Sequence, residues 1–173
     1  WVAARSPITF NYAIKNKCNV MSWPLTRAFS EAELYKKQLD EAIIESNNNF
    51  NPIFAMMRHT ALYETQSGRD KAINAIQSCL GQFENLFRNL DDVNNGFPKR
   101  IPLNELVGRK EFDAEMLEEN LMFGSPDTVI EKLKRYEKLG VDQYIYYASM
   151  GLDMESQKKS MELFYKEVIP EFA

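Results

Sequence analysis

Apolar and polar positions follow two spacings along the chain, and each spacing predicts one kind of element. Short apolar runs predict buried strands at residues 1–4, 18–23, 52–63 and 141–147. Between these runs, apolar residues recur three or four positions apart, which predicts amphipathic helices. The helices are expected at about 7–17, 30–46, 113–120, 126–139 and 154–168, with another from Ile73 to Phe87 after a turn at 66–70.

Residues that favour helix ends stand at several of these boundaries. Ser6-Pro7 and Ser125-Pro126 each place an N-cap serine before a proline at the first helical position. Ser30, with Glu33 three residues later, predicts a capping box at the start of the second helix. Gly140 predicts a left-handed cap before the last strand. These residues therefore predict where the helices begin and end.

Strands that alternate with helices predict an α/β fold with a parallel sheet and right-handed crossovers. Residues 91–112 show neither the apolar run of a strand nor the apolar spacing of a helix, and they are predicted to be an irregular insertion. Four strand–helix units in 173 residues fit half of a (β/α)8 TIM barrel, since a whole barrel needs about 250 residues. A small open doubly wound sheet is the alternative, although no glycine-rich fingerprint follows any strand. We therefore predict a single domain, residues 1–173, with about four parallel strands.

Composition narrows the classes of function. A net charge of −4 and a pI near 5.2 argue against nucleic acid or an anionic membrane as partner. No apolar run approaches the roughly 20 residues that span a bilayer. Cys18 and Cys79 belong to no CxxC pair, so we expect two structural thiols, no metal site and a cytoplasmic location. Because the chain opens directly on an apolar strand, we expect it to be part of a longer protein.

The residues themselves indicate only weak candidates for chemistry. His59, the single histidine, stands near the end of the third strand, where a barrel builds its active face; it either faces a ligand or is structural. The paired carboxylates Glu31/Glu33 and Glu118/Glu119 are predicted to lie on solvated helix faces. No Ser-His-Asp set, metal cluster or P-loop is present.

Two strand ends offer groups that suit a ligand. The strand-to-helix junction from Ala3 to Thr9 combines backbone N–H groups, a basic side chain and hydroxyls at a helix N-terminus, which suits a phosphate dianion; a plain capped helix is the alternative. The second strand ends at Met21-Ser22-Trp23-Pro24, where the indole either flanks a planar ligand or fills the core.

Three stretches together resemble the bacterial-luciferase-like monooxygenases. Residues 1–7 (WVAARSP), followed by Ala13, are similar to the family's strand-and-turn element before a helix. Residues 20–23 (VMSW) stand at the family's distance downstream. Residues 123–129 (FGSPDTV), then Leu139 to Asp142, Phe164, Val168 and Pro170, are similar to its C-terminal ending. The resemblance covers nearly the whole chain and implies the C-terminal half of the barrel, from its fifth strand to its last helix.

The resemblance implies which positions would meet a flavin. In the family, one turn holds the FMN phosphate, and it matches Ala4, Arg5, Ser6, Ile8 and Thr9. A strand end near the isoalloxazine ring matches Met21, Ser22 and Trp23. Arg5 replaces the usual small serine, and it either adds a charge partner for phosphate or obstructs the site. The family's best-known catalytic residues belong to the N-terminal half, so no catalytic residue is assigned and we expect the fragment alone to be inactive.

The resemblance also implies the chemistry and the partners. The full-length protein would be a flavin-dependent monooxygenase that uses reduced FMN and O2 on an organic substrate, with a flavin reductase as partner. Deazaflavin F420 is the alternative cofactor. The alternative function is a non-catalytic flavin-binding or interaction module. An open half barrel is expected to pair, either as a homo-oligomer or with the missing N-terminal half.

Overall fold

The computed structural model describes residues 1–88, 93–98, 101–106 and 108–172. Its strands and helices alternate along most of the chain. Single turns of 3-10 or π helix lie at Lys110–Phe112, Phe164–Val168 and Ile169–Phe172. The other elements are, in order, β1 (Val2–Ala3), α1 (Pro7–Lys15), β2 (Val20–Ser22), α2 (Phe29–Ser46), β3 (Phe54–Leu62), α3 (Gln66–Arg88), β4 (Val93–Asn94), β5 (Phe97–Pro98), α4 (Leu103–Leu106), α5 (Ala114–Asn120), β6 (Met122–Gly124), α6 (Pro126–Leu139), β7 (Gln143–Tyr147) and α7 (Met154–Leu163).

The main sheet is parallel throughout and is organised around β3. Both β2 and β7 pair with Ala55 and Met56, so they lie on opposite sides of β3. β1 pairs with β2, and β6 pairs with the end of β3 at Thr60 to Leu62. Phe54 and Asp142 fix the start of β7, because each backbone N–H donates to the other residue, at 2.8 and 2.9 Å. The predicted α/β fold with a parallel sheet is confirmed.

The sheet of the described residues has five strands, one more than the four that the sequence pattern showed. The missed strand is β6, which has three residues and is followed at once by the Ser125-Pro126 helix start. The sequence pattern therefore indicates Phe123 and Gly124 only as the lead into that helix. The insertion predicted at 91–112 also contains regular structure, namely the antiparallel hairpin of β4 and β5 and the short helix α4. Residues 91, 92, 99, 100 and 107 of that insertion lie outside the described part of the chain.

The helix ends confirm some capping predictions and correct others. Ser125 caps α6 by accepting the amide of Thr128 at 3.3 Å, and Gly140 ends that helix with φ +87°. The predicted capping box at Ser30 is wrong, because α2 already begins at Phe29 with Ala28 as N-cap. α3 also starts at Gln66, inside the stretch predicted as a turn. In both cases the helix begins earlier than the polar residues suggested.

The two faces of the sheet have different surroundings. One face carries Val20, Phe54 and Met56, which are at most 1% exposed and pack against α1, α2 and α6. Successive strand residues point to opposite faces, so the other face carries Met21, Ala55, Met57, His59 and Ile145. In a barrel this second face is the interior. The helices α1, α2 and α6 therefore cover the first of these two faces.

α3 and α5 form a second core at the carboxyl ends of the strands. Ile73 and Ile76 of α3 pack with Ala61 near the end of β3, Phe123 of β6 and Met150 after β7. α3 thus lies over the edge of the sheet where a barrel places its ligands. Within the described residues, no helix is long and apolar enough to cross a membrane.

Candidate functional site

The ends of β1 and β2 are joined by two hydrogen bonds at the carboxyl edge of the sheet. The amide of Ala4 donates to the carbonyl of Met21 at 2.9 Å, and the Ser22 hydroxyl donates to the carbonyl of Ala4 at 2.7 Å. Ala4 and Ser22 are 0% and 1% exposed. The structure therefore brings the two predicted ligand segments together, and Ser22 uses its hydroxyl to hold them in place.

Arg5 leaves this junction and is oriented by α2. Its Nε donates to the Tyr35 hydroxyl at 3.2 Å, and that hydroxyl donates to Glu31 at 2.9 Å. Glu31 also pairs with Arg27 at 3.1 Å. Burial raises the pKa of Tyr35, which keeps the phenol protonated. This hydrogen bond to the phenol holds the Arg5 side chain in place. It uses only Nε, so the other N–H groups of the guanidinium can bind an anion.

The first turn of α1 adds hydroxyl donors and no negative charge. The Ser6 and Thr9 hydroxyls are 2.9 Å apart, and no acidic residue occupies the first turn. Pro7 has no N–H, and the amide of Thr9 donates to Ser6 at 3.0 Å, so the turn offers side-chain donors more than backbone donors. Ile8 is 82% exposed. A guanidinium, two hydroxyls and the positive end of a nine-residue helix fit a phosphate group.

Aromatic side chains from β3, β7 and the residue after β2 meet on the inner face of the sheet. The Trp23 ring lies 5.5 Å from His59 and 5.3 Å from Tyr147, and the His59 and Tyr147 centroids are 4.6 Å apart. Phe83 of α3 meets the Trp23 edge at 6.0 Å. We call Trp23, His59, Phe83 and Tyr147 the aromatic cluster. Its flat, weakly polar walls suit the face of a planar ring.

His59 is neutral in this cluster. Burial lowers the pKa of His59 to about 4, and the Arg58 guanidinium acts in the same direction. His59 Nδ1 and Trp23 Nε1 are buried and have no hydrogen-bond partner among the described residues. Buried polar atoms are usually satisfied, so two orphaned ones in one cluster indicate that a bound molecule or water belongs beside them.

The sequence did not single out Tyr147 or Phe83 as members of the site. Tyr147 ends β7 two residues after Ile145, so strand alternation toward the inner face was a usable signal. Phe83 was predicted only as part of the apolar face of a helix. Nothing in the local sequence indicates that α3 crosses the sheet edge, since that depends on contacts with Met150 and Phe123.

Glu118 corrects the prediction of a solvated carboxylate. It accepts hydrogen bonds from the Tyr63 hydroxyl and from Arg69 Nε, the latter at 2.8 Å. Burial alone would raise the pKa of Glu118, but these two hydrogen bonds outweigh burial and lower it. Glu119, its neighbour, is exposed as predicted. Glu118 therefore ties α5 to the end of β3 and the start of α3.

Arg58 is a second buried polar group that the sequence did not reveal. It is 0% exposed and donates to the backbone carbonyls of Arg27, at 2.8 Å, and Asn120. These contacts join the loop before α2 to the end of α5. Arg58 thus helps to fix the loop that follows Trp23.

Comparison with known proteins identifies relatives that depend on or bind a flavin or F420. The chain is 28% identical, over all 173 residues, to the oxygenase component of the flavin-dependent trigonelline monooxygenase of Acinetobacter baylyi. It superposes with a TM-score of 0.64 and 19% identity on the oxygenating constituent of the FMN-bound 3,6-diketocamphane monooxygenase of Pseudomonas putida, over 98% of the chain. An F420-dependent secondary alcohol dehydrogenase matches 99% of the chain with a TM-score of 0.61 and 17% identity. No family model matches the sequence.

All three matches cover only part of the relatives. The chain spans 48% of the Acinetobacter protein and 47% and 48% of the two solved chains. The solved structures share its fold over that part. These findings confirm the resemblance stated from the sequence motifs.

Proposed function

We propose that this chain, which resembles the bacterial-luciferase-like monooxygenases in sequence and fold, forms the C-terminal part of a flavin-dependent monooxygenase that oxidises an organic molecule. One observation carries the proposal. The turn at Arg5, which suits a phosphate group, and the aromatic cluster around Trp23 lie at the same carboxyl edge of one parallel sheet. In a barrel this edge is where cofactor and substrate bind.

Each part of the edge has a distinct role toward the cofactor. Arg5, Ser6 and Thr9, with the backbone at Ala4 and Ile8, would hold the FMN phosphate. Trp23, with Met21 and Ser22 beside it, would border the isoalloxazine ring. When bound, reduced flavin supplies electrons for the reaction with O2. The chain's own residues bind and orient the cofactor, and the aromatic cluster excludes water from the ring.

The relatives support a choice of cofactor and of electron donor for this proposal. FMN is the first choice, because the diketocamphane enzyme is an FMN complex. Deazaflavin F420 is the second, because an F420-dependent dehydrogenase shares the fold. The Acinetobacter relative is an oxygenase component, which supports a separate reductase as the source of reduced flavin.

Replacing Arg5 with alanine in the full-length protein is expected to weaken FMN binding by about 1.5–3 kcal/mol, the usual contribution of a charge-assisted hydrogen bond. Riboflavin lacks the phosphate, so its affinity should change little. Fluorescence titration with the two flavins measures the difference. Lys37→Ala removes an exposed cation of α2 that pairs with Glu41, outside the contacts of Arg5, and is the matched control. Equal losses for both flavins would remove Arg5 from the phosphate site, and no flavin binding at all would refute the proposed function.

The isolated chain is expected to self-associate unless a second half covers it. Among the described residues, β1 pairs with β2 alone and β7 with β3 alone, so each leaves one edge unpaired. Unpaired strand edges recruit other chains. Light scattering of purified residues 1–173 measures the mass, and adding the N-terminal half should restore a single complex. A stable monomer at micromolar concentration would contradict the expectation.

A further inference from the structure

A cavity of about 920 Å3 lies between α3 and the turn that joins β7 to α7. Its size is in the range of small-molecule sites. Phe83 lines it and also contacts Trp23, so the cavity borders the aromatic cluster. Met150 and Leu152 form the opposite wall.

α3 presents two parallel stripes to this cavity. Ala75, Cys79 and Phe83 form an apolar stripe at helical spacing, and Asn74, Ser78 and Gln82 form a polar stripe beside it. The side-chain nitrogen of Gln82 is buried without a hydrogen-bond partner in the described part of the chain. If the apolar core of another protein segment covered this surface, these neutral polar groups would be buried without hydrogen-bond partners, which costs free energy. A small molecule with a flat apolar body and one polar edge satisfies both stripes.

The charges at the mouth of the cavity offset each other. Lys71 and Asp153 are 3.7 Å apart, and both side chains are more than half exposed. Asp153 also accepts the amide and the hydroxyl of Ser156, at 2.8 and 2.7 Å. The other lining side chains among the described residues are neutral, so this part of the cavity suits an uncharged ligand.

We propose that this cavity binds the organic substrate, and that the substrate is a flat, uncharged ring with a hydrogen-bonding group on one edge. The assignment rests on the proposed function. Phe83 and the Met150–Leu152 wall would hold the ring, and Ser78 and Gln82 would bind its polar edge. These residues orient the substrate next to Trp23, where the proposed flavin site begins.

Cysteine alkylation tests the site, because Cys79 lines the cavity and Cys18 lies elsewhere in the fold. Full-length protein is treated with iodoacetamide with and without benzamide, a flat ring with one amide, and the two cysteine peptides are quantified by mass spectrometry. At ten times its Kd, benzamide is expected to slow Cys79 alkylation about tenfold by occupancy and to leave Cys18 unchanged. Cyclohexanecarboxamide, which has the same amide on a puckered ring, should protect less.

Variants show whether the polar stripe is responsible. Gln82→Leu and Ser78→Ala are each expected to raise the benzamide concentration needed for half protection about three- to tenfold, while Gln66→Leu on the same helix should not. The proposal is overturned if benzamide leaves Cys79 alkylation unchanged, if the variants have no effect, or if Cys79 is inert without benzamide because another segment fills the cavity. No step requires flavin, so a failed flavin titration would count against the proposed function alone.

Discussion

Gly124→Ala is expected to lower the free energy of unfolding by about 4 kcal/mol, from backbone strain and overpacking together. Gly124 has φ +139°, a conformation that side chains with a Cβ rarely adopt. An added Cβ would also stand 2.9 Å from Cβ and Cγ2 of Thr128. Thr128 belongs to the first turn of α6, which Ser125 caps, so the chain cannot move away without breaking that cap. Urea unfolding measures the loss.

Gly151→Ala is the matched control for this substitution. Gly151 also has positive φ, at +85°, but no atom of the described residues lies within 4 Å of an added Cβ. Its expected cost is only about 1 kcal/mol, the penalty of the left-handed backbone. Adding Thr128→Ser to Gly124→Ala removes the crowded methyl group and should recover part of the stability. Similar losses for the two glycine variants would show that the contact with Thr128 contributes nothing.

Acid is expected to destabilise the fold through His59 by about 3 kcal/mol between neutral pH and pH 4. Burial lowers the pKa of His59 to about 4, against 6.5 when the chain is unfolded. Below pH 6.5 the unfolded chain therefore binds a proton that the folded chain does not accept, and stability falls as the pH falls toward 4. His59 is the only histidine, so no other imidazole titrates in this window.

His59→Phe separates this effect from the titration of carboxylates. Phenylalanine keeps an aromatic ring beside Trp23 and Tyr147 and removes the titrating group. Urea unfolding at about pH 7.5 and about pH 4.5 should show a stability loss that is smaller by about 2–3 kcal/mol in the variant. Identical losses in both proteins would mean that His59 is accessible to protons in the folded state.

Local sequence patterns were enough to predict the parallel fold. The prediction failed for elements whose local sequence does not show where they begin or that they exist. Strands such as β3 and helices such as α6 are long enough to show their period and carry their own caps. β6 was missed because it runs directly into the helix start at Ser125-Pro126, and it is held by pairing with Thr60 to Leu62. The start of α2 was misplaced because Ser30 resembles an N-cap although Ala28 occupies that position.

The candidate site was predictable only in part, for a related reason. The turn at Arg5 and the indole of Trp23 are adjacent to strand ends, which any parallel sheet brings to one edge. Phe83, Glu118 and the cavity under α3 depend on how a helix crosses that edge. This crossing is fixed by contacts between residues far apart in sequence, such as Arg69 with Glu118. The sequence pattern of one segment does not indicate that it contacts the other segment.

The mutual hydrogen bonds of Phe54 and Asp142 join two strands that are synthesised far apart in time. These residues are separated by 88 positions, whereas β1, β2 and β3 follow one another closely with α1 and α2 between them. Closing a longer loop costs more entropy, so the first three strands can form while β7 is still inside the ribosome. Until β7 emerges, the edge of β3 that it will occupy stays open to solvent. We expect this open edge of β3 to recruit other chains until β7 covers it.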